Sequence, residues 1–207
     1  MARAHPSVKN KDAERCFFFY ERIRSRIDGL PVSGDRAVRI PMVCYGLAID
    51  HLLGIAVLLQ QGIYASAFAL ARPSYEGYLR GAWLHACATP ADLDAYVADK
   101  PGPSFFVMTD ALKRTPNFAG ATLSQVLEAT VPILHSYAHG GFNQAARNWT
   151  SNGLEANYSD SDVTTLARFA TANALLAFQL MAVEAKRMDL ADEALELIKG
   201  WTSEPLG

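Results

Sequence analysis

Two long stretches of this chain carry almost no charge. Met42 to Leu59 is nearly all apolar over 18 residues and holds only Asp50 and His51 near its centre. No charged residue stands between Arg168 and Glu184. Strand-like alternation is absent, and the apolar residues recur at helical spacing. A helix that is apolar on most sides must be enclosed. The sequence therefore predicts an all-α bundle whose long helices are surrounded by the rest of the chain or by a second copy.

The Met42–Leu59 stretch is also long enough to be mistaken for a membrane span. A charge at the middle of a bilayer costs about 3 kcal/mol, which makes Asp50 a poor fit there and favours a buried core helix. The N-terminus leads into a charged stretch and not an apolar one, so we expect no signal peptide. The three cysteines are widely spaced, which fits a reducing cytosol, and we expect a cytoplasmic protein.

The chain of 207 residues suits one domain, and its net charge of −2 gives no overall attraction to nucleic acid or membrane. We expect a single helical domain over 1–207 with a core over about 12–188. Pro73 should kink the third helix, and 142–158 should be mostly loop. Capping and helix-breaking residues predict about six to eight helices. Their expected ranges are 12–27, 36–60, 63–88, 91–99, 104–114, 122–138 and 159–188, followed by a short C-terminal helix at 190–199.

A ladder of alternating charge marks the third helix. Arg72, Glu76 and Arg80 are four residues apart, so they stack on one face of a helix, which they share with Trp83. The ladder is either an exposed stripe of ion pairs or an enclosed polar site in which Trp83 stacks on a guanidinium. An enclosed ladder has one positive charge too many, because two arginines face one glutamate. Burying such a triplet is costly unless every charge is paired.

Asp50 is one candidate to balance that charge. Gly46 and Gly54 flank it at four residues on either side and would let another backbone approach closely. We therefore expect the second and third helices to pair antiparallel, with Asp50 reaching Arg72 or Arg80. The alternative is an anionic ligand in that place. Asp50 would make the ladder part of the architecture, whereas a ligand would make it a functional site, and the sequence favours architecture.

His135 and His139 are also four residues apart, a spacing that can place two imidazoles on one metal ion. A third ligand would have to come from elsewhere, such as His51 or Glu76. A histidine near a helix C-terminus is equally explained by the helix dipole, with Gly140 as the residue that ends the helix. We therefore expect no metal and no cofactor, and we expect His139 to form hydrogen bonds beside the ladder.

These motifs carry a resemblance. An Arg-x3-Glu helix followed by aromatics and a later Ser-x-x-His-Gly helix end resemble a bacterial helical family of unknown function that is distantly similar to the HEPN superfamily. The resemblance covers roughly residues 45 to 185. Its specific positions are Arg72, Glu76, Arg80, Trp83, Ser136, His139 and Gly140. It implies a helical bundle with an HEPN-like core that acts as a homodimer, in some members as a toxin or antiphage ribonuclease.

Two functions follow. The first is a non-catalytic binding or interaction module, linked to toxin–antitoxin or antiphage systems, with a polar core or a small pocket for an anionic ligand or a protein partner. The second is a metal-independent ribonuclease acting on RNA, in which Arg80, His85 and His139 are catalytic. We favour the first, because Gly81 follows Arg80 where HEPN nucleases usually carry a polar residue. Its site residues are Arg72, Glu76, Arg80, Trp83, Asp50, His51, Ser136 and His139.

Overall fold

A computed structural model describes residues 10–116, 118 and 133–203, and within these residues the regular structure is helical, without a β-strand. The predicted all-α, single-domain bundle is confirmed. The helices are α1 (Lys11–Ile27), α2 (Arg36–Gln60), α3 (Tyr64–Ala69), α4 (Ala71–Ala86), α5 (Pro90–Val97), α6 (Phe105–Lys113), α7 (133–138), α8 (Phe142–Ala146), α9 (Asp160–Glu184) and α10 (Met188–Ser203).

Capping residues set where the helices begin. Thr89 and Ser159 each close a capping box, in which the hydroxyl accepts from a backbone N–H three residues later and a carboxylate at that later position accepts from the cap's own N–H. Asp35 accepts from the N–H of Ala37 at the start of α2. These signals are local in sequence, which is why the expected range of α2 agrees with the observed one. The expected helix at 122–138 falls mostly outside the described residues.

The third expected helix is two helices, α3 and α4, separated at Leu70. Pro73 has no N–H to donate to the carbonyl of Ala69, and its ring crowds the preceding turn. The regular helix is therefore interrupted at Leu70, the point where the sequence predicted a kink. Leu70 keeps an αR backbone, and the N–H of Ser74 still donates to its carbonyl at 3.1 Å.

The apolar α2 lies at the centre of the bundle, where it contacts α1, α4 and α9. Its side chains Tyr45, Ile49, Leu52 and Ile55 are fully buried. The predicted core helix is confirmed on this side, whereas Val43, Leu47 and Val57 on the other side are exposed. Both α2 and α9 are long and apolar enough to cross a membrane by length and composition, and about half of each apolar window is buried inside the bundle.

Two glycines of α4 let it approach α2 closely. A Cβ atom at Gly77 would lie 3.0 Å from the carbonyl oxygen of Cys44, and one at Gly81 would lie 2.5 Å from Cε1 of Tyr45. Glycine is therefore required here by space. The antiparallel neighbours that the sequence predicted do pack together, but through the glycines of α4.

The glycines of α2 do not have the expected role. A Cβ atom at Gly46 would meet nothing within 4 Å, and one at Gly54 would meet only the side chain of Leu70 at 3.0 Å. Asp50 lies on this same outward face and is exposed. The prediction that glycines let these two helices approach closely was correct. The prediction that these glycines are the ones flanking Asp50 on α2 was wrong.

The C-terminal helix is longer than expected and belongs to the core. Trp201 is buried and packs edge-to-face on Phe19, with ring centroids 5.1 Å apart. Its indole N–H donates to the carbonyl of Arg168 at 3.4 Å. The core therefore extends beyond residue 188, because α10 covers α9 and the adjoining end of α1.

Candidate functional site

A cleft of about 550 Å³ opens between α4, α6 and α7. The charge ladder forms one of its walls, and the mostly apolar start of α6 forms another. Its lining residues are Arg72, Glu76, Arg80, Pro103, Ser104, Phe105, Phe106, Met108 and His135. The ladder is therefore neither a plain exposed stripe nor an enclosed core element.

The first arginine of the ladder has its partners within the chain. Nε of Arg72 donates to Oε1 of Glu76 at 2.8 Å. Nη1 of Arg72 contacts Nδ1 of His135 on α7. A guanidinium can only donate, so Nδ1 of His135 is the acceptor in this contact. Arg72 thus connects α4 to α7 and uses the only negative charge of the ladder.

The second arginine is left without an acidic partner. In the part of the chain that the structure describes, no carboxylate lies within 4.0 Å of the Arg80 guanidinium. Its neighbours are the ring of Tyr96, with the guanidinium carbon 5.9 Å from the ring centroid, and the turn before α6, where a Cβ at Gly102 would lie 3.1 Å from Nη1. Two arginines against Glu76 leave the ladder with one uncompensated positive charge.

The α6 wall adds a second electropositive element. Ser104 caps α6 and accepts from the N–H of Val107 at 3.5 Å. The first N–H groups of a helix have no partner within the helix, and the helix dipole makes this end partly positive. Phe105 is fixed by the ring of Tyr75 at 4.9 Å between centroids, whereas Phe106 is largely exposed at the cleft. The cleft therefore combines positive charge with an aromatic wall.

The structure does not form the expected pairing of Asp50 with the ladder. Asp50 is exposed on the outer face of α2 and makes no ion pair within 4.0 Å to Arg72 or Arg80. The surplus charge is therefore not balanced by this residue. His51, its neighbour, is half-buried, lies outside the cleft lining, and has its pKa lowered by that burial.

Trp83 also has a different role from the one expected. It is buried in the core and stacks on no guanidinium within the described residues. The aromatic neighbour of Arg80 is Tyr96, whose hydroxyl group lies 3.2 Å from Sγ of Cys44. Spacing along α4 pointed to Trp83 because it shares the ladder's face, but α5 supplies the aromatic ring instead.

The Ser-x-x-His-Gly motif is a helix end. The N–H of Gly141 donates to the carbonyl of Ser136 at 2.7 Å, and Gly140 adopts a φ of 65°, as in a Schellman motif. Oγ of Ser136 accepts from the N–H of Asn143 at 3.1 Å and thereby caps α8. His139 is exposed, and its ring lies 4.5 Å from that of His135. His139 of the motif thus lies beside His135, which the sequence had considered only as a metal ligand.

The three residues of the ribonuclease hypothesis contact different parts of the molecule. Nδ1 of His85 contacts Oε1 of Glu184 on α9, and this hydrogen bond raises the pKa of His85. Arg80 faces the cleft and Tyr96, and His139 lies against His135. Within the described ranges no three His, Cys, Asp or Glu side chains are arranged to hold a metal ion.

Some residues of the site were not found from the sequence. Tyr96 and the cleft residues of α6 carry no charge pattern, and only the cap at Ser104 marked the start of that helix. Glu184 of α9 was read as the end of an uncharged stretch. Contacts between helices that are distant in sequence bring these residues to the site. No short sequence pattern predicts such contacts.

The fold and the cleft together define an all-α protein with an arginine-lined cleft between helices. The chain belongs to a family of unknown function, DUF6988, whose model matches residues 45–204. The match includes the whole ladder and the helix end at His139. Membership of a helical family of unknown function, which the motifs predicted, is thus confirmed. Searches of curated proteins and of solved structures found no significant match.

Proposed function

We propose that this protein binds a small organic anion, a carboxylate or a phosphate, in the cleft between α4, α6 and α7. The observation that carries the proposal is Arg80, which lines the cleft and has no carboxylate within 4.0 Å among the described residues. A guanidinium beside a cleft of about 550 Å³ is a ready partner for such a group.

The charge of the site indicates how many negative charges the ligand carries. Arg72 and Arg80 supply two positive charges and Glu76 one negative charge, which leaves one. The N-terminus of α6 adds a partial positive charge on the α6 wall. A monoanionic group, or a phosphate that shares its charge with the α6 N-terminus, balances this arrangement.

The apolar wall indicates what the rest of the ligand is. Pro103, Phe106 and Met108 line the cleft together with the ladder. Ligand sites in proteins typically combine an apolar lining with a few placed polar groups that fix orientation. We therefore expect an anion that carries an aromatic or apolar body, with the anionic group at Arg80 and the body against α6.

Titration calorimetry with phenyl phosphate, inorganic phosphate and phenol tests this function. We expect phenyl phosphate to bind most tightly, because only it uses both walls. Arg80→Gln should weaken its binding by about ten- to a hundredfold, as expected for the loss of a hydrogen bond to a charged group. Arg24→Gln removes the same charge from α1 and is the matched control. Equal affinity in Arg80→Gln and Arg24→Gln would contradict the proposal.

The same proposal gives the protein a non-catalytic role. Its supports are the engagement of His85 by Glu184 and the distinct surroundings of Arg80 and His139. We propose that it is a cytoplasmic binding module of bacterial origin with an HEPN-like core, linked to toxin–antitoxin or antiphage systems. The support for this wider assignment is the resemblance of the ladder and of the helix end at Ser136.

A further inference from the structure

The outer face of α2 has the spacing of a coiled-coil seam. Six residues follow one another at alternating intervals of four and three, which places them on one narrow stripe of the helix. All of them are exposed or half-exposed. These residues, called here the α2 seam, are Arg39, Val43, Gly46, Asp50, Leu53 and Val57.

The α2 seam is apolar over much of its length and open to solvent. Val43 is 64% exposed and Val57 is 44% exposed, although both belong to the most apolar helix of the chain. A Cβ atom at Gly46 would meet nothing within 4 Å, so another helix could approach the backbone closely at this point. The enclosed helix of the bundle thus keeps one uncovered side among the described residues.

Two opposite charges on the α2 seam form no ion pair in the described part of the chain. Arg39 and Asp50 are both exposed, and neither makes an ion pair within 4.0 Å. They stand 11 positions apart, on either side of Val43 and Gly46. This arrangement is self-complementary: if the helix is turned end over end about the point midway between Arg39 and Asp50, each charge faces its opposite.

We propose that two copies of this chain pair through the α2 seam, with the two α2 helices antiparallel. The two-fold axis passes between residues 44 and 45, so that Arg39 faces the partner's Asp50 and Asp50 faces the partner's Arg39. Val43 then packs over the partner's Gly46. A two-fold interface requires one surface that complements itself, and this stripe does so in both charge and shape.

Charge selects this register over the main alternative. Centring the axis on Asp50 would match Val43 with the partner's Val57 and would align the glycines Gly46 and Gly54. However, it would place Asp50 opposite the partner's Asp50 near the middle of the contact, and facing like charges are destabilising. The register centred between residues 44 and 45 avoids this repulsion and forms two ion pairs.

The overlap in this register runs from residue 36 to residue 53 on both helices. At 1.5 Å per residue the shared length is about 27 Å. One pair of helices lies at the lower end of the size of specific interfaces, so we expect a dimer with a dissociation constant of about 1–100 µM. The proposal is independent of the anion-binding cleft, which lies on α4 and α6.

Sedimentation velocity on the full chain tests the pairing. We expect the wild type to dimerise as protein concentration rises. Arg39→Asp and Asp50→Arg should each weaken dimerisation about tenfold or more, because each replaces two ion pairs by two repulsions. The double variant Arg39→Asp/Asp50→Arg should regain it. An equimolar mixture of the two single variants should also dimerise, as a heterodimer, although each alone is monomeric.

The controls separate this surface from others. Arg24→Asp changes charge on α1 and should leave dimerisation unchanged, and circular dichroism checks that every variant is folded. A wild type that stays monomeric at about 200 µM would overturn the proposal, since that exceeds the expected dissociation constant. A dimer that is insensitive to both reversals, or is not restored in the double variant, would overturn it too. Stronger dimerisation of Asp50→Asn would identify the Asp50-centred register and overturn the one proposed.

Discussion

The two faces of α4 differ in how closely they are packed and in whether their charged groups are paired within the protein. On one face, Gly77 and Gly81 bring α4 against α2, and Ser74 donates to the carbonyl of Ala48 at 3.5 Å. On the opposite face, the charge ladder borders an open cleft and Arg80 has no acidic partner among the described residues. One helix thus carries a close-packed surface and an unbalanced one, whose centres lie about 130° apart around the helix axis.

This difference indicates that the glycine face of α4 serves the stability of the fold and that the ladder face serves binding. A packed face leaves no room for change, because its neighbours already fill the space and accept its hydrogen bonds. A face with surplus charge and open volume contributes little to folding. A ligand can fill this volume and pair with the charge. We therefore expect substitutions on the glycine face to change stability and substitutions on the ladder to change binding.

The largest effect is expected on the packed face. Gly81→Val would force side-chain atoms into the buried ring of Tyr45 and should lower the free energy of unfolding by about 3 kcal/mol. Chemical denaturation of dilute protein measures the change. The matched control is Gly46→Val, whose side chain would enter open space and should change stability by less than about 1 kcal/mol. A similar loss in both variants would remove the distinction between the two faces of the bundle.

Within the ladder, the two arginines should differ in their effect on stability. Arg72→Gln removes the ion pair with Glu76 and the contact with His135, and should cost about 1 kcal/mol. Arg80→Gln breaks no ion pair in the described residues and should cost less than about 0.5 kcal/mol. Thermal melting of the two variants side by side checks this order. A larger loss in Arg80→Gln would show that Arg80 is structural.

A smaller effect is expected where α4 meets the end of α9. The hydrogen bond from His85 to Glu184 raises the pKa of His85 above its unfolded value of about 6.5. The stabilisation is therefore complete below about pH 6.5 and is lost as pH rises through the folded pKa.

Because the ring of His85 is partly exposed, the difference should stay below about 1 kcal/mol. Denaturation at about pH 6 and pH 8 should show wild type losing more stability than His85→Gln as the pH rises. An identical pH dependence in both proteins would mean that the pair contributes nothing to folding.

The sequence was a good guide to the helices and a partial guide to the site. Caps and breaks are local, so Asp35, Thr89 and Ser159 marked helix starts correctly. The ladder was found because spacing of four residues fixes a shared face on any helix. The direction of that face was not fixed, because it depends on which distant helices α4 packs against.

Contacts between helices explain the remaining differences. Asp50 and Gly46 formed a plausible docking face for α4, but Gly77 and Gly81 pack against α2 while Asp50 points outward. Two pairs of glycines, each on one face of neighbouring helices, cannot be ranked from their spacing alone. The steric fit of Tyr45 against Gly81 decides between them, and such a fit exists only in three dimensions.

The affinity of Glu76→Gln for phenyl phosphate tests the central claim most directly. Glu76 is 34% exposed in its side chain and supplies the one negative charge of the ladder, so its removal raises the charge of the cleft without breaking the core. We predict severalfold tighter binding by titration calorimetry, with a free energy of unfolding within about 1 kcal/mol of the wild type. Weaker or unchanged binding, or a sharp loss of stability, would show that the ladder is architecture and that its surplus charge is not the binding group.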